Sequence, residues 1–134
     1  MAILHVASND GDSLTIDRED TPDPFWWRIT LQSTDLSATA DFDTDVVRFH
    51  ALSLADYFAS LAADWRGWSG TRTWGRNTLI LEATHDGLGH IALTVKLGQN
   101  LYPNAWRAQV TLKIDAGALD AIARDAASFE PPAA

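Results

Sequence analysis

The sequence predicts an α+β fold: an antiparallel β-sheet of about six to eight strands with two helices packed on one face. Two observations predict it. Long stretches alternate apolar and polar residues with period two, and two other stretches carry an apolar stripe at helical spacing. A helix with one apolar side and a sheet with one apolar face must bury each other, which gives a two-layer sandwich. At 134 residues the chain suits a single domain, read as residues 1–130 with a disordered tail over 131–134.

The strands come first. Ile3–Ala7 and Leu14–Ile16 flank the turn Asn9-Asp10-Gly11 and read as short strands. Phe25, Trp27, Ile29 and Leu31 alternate with Trp26, Arg28, Thr30 and Gln32. Leu36, Ala38, Ala40 and Phe42 alternate with Ser37, Thr39, Asp41 and Asp43. Such alternation marks strands buried on one face only, the habit of antiparallel sheets. Ser53 then caps a helix running to about Trp65, with Leu54, Tyr57, Phe58, Leu61 and Trp65 on one stripe and Gly67 as its stop. Asn77–Ala83 is the next strand, with Leu79 and Leu81 inward. Ile91, Leu93, Val95 and Leu97 form the inward set of another, and Trp106, Ala108, Val110, Leu112 and Ile114 that of a last. A second helix from roughly Gly117 to Phe129 carries Leu119, Ile122, Ala126 and Phe129 on one side and ends at Pro131-Pro132. The expected order is about five strands, a helix, three strands and a helix. The expected core sets Trp27, Leu31, Leu93, Val95, Val110 and Leu112 beneath Phe58, Leu61, Leu119 and Ile122, with Trp65 among them.

Composition removes several functions. The chain has no cysteine, so disulfides and cysteine-based metal or redox sites are excluded. The start MAILHVASNDGD lacks the basic region of a secretory signal, and no stretch approaches the ~20 apolar residues of a membrane-spanning helix. A cytoplasmic protein is expected. The net charge of −8 is concentrated: residues 1–45 hold ten acids against Arg18 and Arg28, whereas residues 46–134 hold eight acids and eight bases. That asymmetry argues against nucleic acid or an anionic membrane as partner, since both need a positive face. It suits either plain solubility or a basic protein partner steered by charge.

The stretch Leu61–Arg76, LAADWRGWSGTRTWGR, sets Trp65, Trp68 and Trp74 where a helix must break and a strand begin, and HDGLGH follows at His85–His90. From about Leu52 to Phe129 the chain resembles an uncharacterised bacterial domain family, common in actinobacteria and known only as a domain of unknown function. LADYFASLAADWRGWSGTRTW, LILEATHDGLGHIALTVKL and WRAQVTLKIDAGALDAIA carry the resemblance, and DWRGW followed by HDGLGH is its most specific part. Residues 1–51 share only the strand-rich character. No catalytic residues of that family are there to be carried over. By analogy with small acidic families encoded beside secreted bacterial toxins, the resemblance implies an immunity protein.

Candidate chemical groups are few. His85 and His90 flank a turn and could face each other, with Asp86 and Glu82 as oxygen ligands. A metal needs three convergent ligands and only two are plausible, whereas a tight turn using Gly87 and Gly89 explains the same residues. Asp41, Asp43 and Asp45 resemble the start of a calcium loop, but Val46 and Leu52 stand where that loop needs glycine and glutamate. On a strand the three aspartates line one face instead, as a solvated edge or a contact stripe. Arg72 and Arg76 could grip an anion, but they follow a helix end rather than open a helix. Trp68 and Trp74 either lid the core or anchor a partner. No nucleophile elbow, phosphate loop or cofactor motif appears, so neither an enzyme nor a bound cofactor is expected.

The sequence thus points to an acidic protein-binding module, most concretely an immunity protein that neutralises a cognate bacterial toxin by direct binding. Its partner is a basic protein, met by Asp41, Asp43 and Asp45 together with Trp68, Arg72 and Trp74. The alternative is a small-molecule binding module with a tryptophan-lined pocket.

Overall fold

The computed structural model describes residues 3–18, 26–43, 53–76, 78–98 and 105–130. Four strands come first: β1 (Ile3–Ala7), β2 (Ser13–Asp17), β3 (Trp26–Ser33) and β4 (Leu36–Asp43). Helix α1 (Leu54–Ala63) follows, then β5 (Arg72–Arg76), β6 (Leu79–His85), β7 (His90–Gly98) and β8 (Arg107–Asp115). A 3₁₀ turn at Ala116–Ala118 leads into helix α2 (Leu119–Phe129). Among the described residues no helix is long and apolar enough to cross a membrane.

The α+β class holds, but the single sheet does not. The strands form two antiparallel meanders of four, β1-β2-β3-β4 and β5-β6-β7-β8. β3 and β4 face β7 and β8, while α1 and α2 pack on each other and α2 also touches β1. Each sheet therefore buries its apolar face against the other sheet as well as against the helices. Helix α1 stands between β4 and β5 in the chain, and those two strands do not pair. Alternation reports which face of a strand is buried, not which strand lies beside it, so one large sheet and two small ones read alike in sequence.

The faces fall as the alternation requires. Leu4, Val6, Leu14, Ile16, Trp27, Ile29, Leu31 and Phe42 point inward from the first sheet. Trp74, Leu79, Leu81, Ala83, Ile91, Leu93, Val95, Leu97, Leu112 and Ile114 do so from the second. With Leu54, Tyr57, Phe58, Leu61, Leu119, Ala126 and Phe129 they make one contiguous core, with Val110 and Ile122 packed at its margin. Aromatic contacts tie the layers: Trp27 of β3 meets Phe129 of α2 edge-on at 5.1 Å, and Phe42 of β4 meets Trp74 of β5 at 6.0 Å.

Two tryptophans depart from expectation. Trp65 is half exposed rather than in the core. Helix α1 ends at Ala63, and Gly67, at φ +142°, turns the chain while its N–H donates to the Asp64 carbonyl at 2.9 Å. The apolar stripe stops there, and Trp65 instead stacks under the Arg66 guanidinium at 5.1 Å. Trp106 precedes β8 and is also exposed, because the strand begins only at Arg107. The expected cap is present: the Ser53 hydroxyl accepts from the Asp56 N–H at 3.0 Å. Glu130, just past α2, adds a second, its carboxylate accepting from the Ala55 N–H at 2.8 Å. Phe25, Asn77, Pro131, Pro132 and the expected tail over 131–134 lie outside the described residues.

Candidate functional site

The two sequence motifs meet at one corner, and His85 joins them. The Gly87 backbone N–H donates to His85 Nδ1 at 2.8 Å. A backbone N–H can only donate, so Nδ1 is the acceptor and Nε2 carries the proton, which it donates to the Trp65 carbonyl at 2.8 Å. Gly67 lies against the same imidazole, and Trp68 meets it edge-on at 5.2 Å. Trp68 is half-buried; its indole N–H donates to the Ala83 carbonyl at 3.3 Å, and the Arg72 guanidinium lies 4.9 Å over its ring. Arg72 also donates to the Ser60 carbonyl at 3.1 Å and to Asp64 at 2.6 Å, while Tyr57 donates its hydroxyl to the Arg72 carbonyl at 2.9 Å. Burial of the Tyr57 ring pushes its phenol well above the usual range, so it stays a donor. DWRGW and HDGLGH thus build a cross-braced corner between α1 and the second sheet.

The residues expected to bind a partner are placed apart. Trp68 and Arg72 come together, both engaged in that corner. Trp74 is 4% exposed and lies in the core against Phe42. Asp41 is on the solvent face of the first sheet, opposite Arg28 and paired with it at 3.0 Å. Asp43 stands opposite Trp26 two positions on, and Asp45 lies outside the described residues. His85 and His90 serve different partners: His90 Nδ1 pairs with Asp86 at 2.8 Å, while His85 turns to Trp65. Among the described residues no three metal-ligating side chains converge.

A more acidic feature sits where no single stretch of the chain signals it. In an antiparallel meander the first and third turns emerge at the same end. The pairings Ala7↔Ser13, Ser13↔Gln32 and Gln32↔Ser37 align those two turns here. Between them opens a concavity of about 680 Å3 whose lining includes Asp10, Asp12, Asp35, Gln32, Ser33 and Ser37. The Ser8 hydroxyl and the Asp12 N–H hold the Asp10 carboxyl below its ordinary range, with the positive charge of Lys113 adding to the effect. The readable signal was an aspartate in each of two turns, but only the pairing of β2 with β3 sets those turns side by side. Among the described residues no tryptophan lines this concavity.

Searches of curated proteins and of solved structures each return no match. A family model matches residues 6–132, so the match takes in β2–β4 and the end of β1 as well as the later elements. On that match the chain belongs to the DUF6228 family, a family of unknown function.

Proposed function

We propose that the protein is an acidic protein-binding module, and most concretely an immunity protein that neutralises a basic bacterial toxin by binding it directly. The observation that carries the reading is the gathering of Asp10, Asp12 and Asp35 around one concave end of the first sheet. The whole charge excess belongs to residues 1–45, the part of the chain that supplies that sheet. Asp41 contributes less on this reading, because Arg28 already neutralises it. The module works in the bacterial cytoplasm, with no reaction and no cofactor of its own.

The test is capture of a partner on the immobilised full chain, followed by binding kinetics across a salt series. Charges at the rim of an interface set mainly the rate of encounter. The triple variant Asp10→Asn, Asp12→Asn, Asp35→Asn should associate about tenfold more slowly at low salt, with a flatter salt dependence and an unchanged circular dichroism spectrum. Asp41→Asn should change the rate far less. Unaltered kinetics in the triple variant, or capture of acidic proteins only, would overturn the reading. A small molecule that binds and quenches the tryptophans would favour the ligand-binding alternative instead.

A further inference from the structure

A second concavity, of about 430 Å3, opens beside the acidic one. Thr84, Ala92 and Lys113 stand in one cross-strand row of β6, β7 and β8 and form its floor, a largely carbon surface, while Ile91 and Ile114 beside them turn their side chains into the core. One wall is the β1–β2 turn, represented by Asn9 and Asp10. The other is the β6–β7 hairpin, represented by Asp86 and His90. Both walls are fixed in place. The Asn9 N–H donates to the Lys113 carbonyl at 2.9 Å and the Ser8 hydroxyl accepts from the Lys113 N–H at 2.8 Å. Asp86 accepts from the Leu88 and His90 N–H groups at 2.7 and 3.1 Å.

Asp10 lines both concavities, so the floor and the acidic end adjoin at that residue. Lys113 is the lysine of the lining, and its charge is set against Asp10. Asp86 and His90 are paired with each other. Asp12 and Asp35 line the adjoining acidic concavity, so the ground on that side of the floor is negative. Leu88, at the hairpin tip, is 80% exposed.

We propose that this second concavity receives an apolar side chain of a basic protein segment, whose neighbouring lysines and arginines meet Asp10, Asp12 and Asp35. The inference rests on the proposed binding of a basic partner and adds where that partner's anchor sits. An apolar group entering the floor leaves water, while flanking cations meet the negative side and flanking carboxylates are repelled by it. Walls already held by hydrogen bonds lose little freedom on binding, which favours affinity.

Isotope-labelled full chain titrated with three blocked pentapeptides, followed by amide NMR shifts, tests this. Lys-Arg-Leu-Arg-Lys should shift Thr84, Ala92 and Ile114 together with Asp10, Asp12 and Asp35. Lys-Arg-Ser-Arg-Lys should shift only the aspartate group and bind about tenfold more weakly. Glu-Asp-Leu-Asp-Glu should shift neither. Thr84→Tyr fills the floor with a residue that strands accept, and should erase the preference for leucine while leaving the serine peptide's binding intact. Equal binding of the leucine and serine peptides, without shifts at Thr84 and Ala92, overturns this inference and leaves the basic-partner reading standing. Equal binding of the acidic and basic leucine peptides overturns both.

Discussion

Asp86 holds the β6–β7 hairpin with one side chain. One carboxylate oxygen accepts from the N–H groups of Leu88 and His90, and the other pairs with His90 Nδ1. The Leu88 N–H is the largest influence, and with the His90 contacts it brings the carboxyl down to about 2 from an ordinary 3.8. A depressed carboxyl stabilises the fold at pH above its unfolded value, and that contribution is lost as pH falls from 3.8 through about 2. Asp86→Asn should therefore lower the melting temperature at pH 5, with the gap closing toward pH 2. Thermal unfolding by circular dichroism at several pH values measures it, and a gap unchanged at pH 2 would assign the loss to something other than the charge. The turn itself was legible, because Asp-Gly is a local signal. The His85–Trp65 bond was not, since no periodicity links positions twenty residues apart.

At the scale of elements, β5 is the strand that alternation missed. Its sequence RTWGR carries one inward apolar residue, Trp74, between two arginines, too short a pattern to register. Pairing supplies what pattern lacked: Trp74 stands opposite Leu81, and Gly75 opposite Ile80. Gly75 sits at φ +90°, and a Cβ there would run into the backbone oxygen of Leu79. Gly75→Ala should thus cost about 2 kcal/mol or more, combining the left-handed backbone penalty with displacement of β6. Guanidinium unfolding measures the loss. A cost below about 0.5 kcal/mol, the level of an ordinary surface change, would mean the strand relaxes around the methyl group. The same limit explains Trp65: a stripe extrapolated past Ala63 assumes that the helix continues, and Gly67 decides otherwise.

Across the whole molecule, strand alternation and helical stripes together identified most of the buried side chains, though not Trp74 or Ala83, and misassigned how the sheets divide. The acidic concavity was illegible for a related reason: Asp10 and Asp35 are neighbours only because β2 pairs with β3. The division matters for stability, because two sheets could in principle unfold separately. Here they share one core, with Leu31 fully buried in the first sheet and Leu93 in the second. A contiguous core of this size makes unfolding cooperative. Leu31→Ala and Leu93→Ala should each cost about 2–5 kcal/mol, the range for a buried large-to-small change, and each should move the midpoint of one and the same transition. Tryptophan fluorescence and far-ultraviolet circular dichroism should report coincident curves in both variants, since Trp27 lies in one sheet and Trp74 in the other. If Leu31→Ala instead splits the curve, leaving a second transition at the wild-type midpoint, the second sheet holds its fold without the first and the shared core is not what stabilises it.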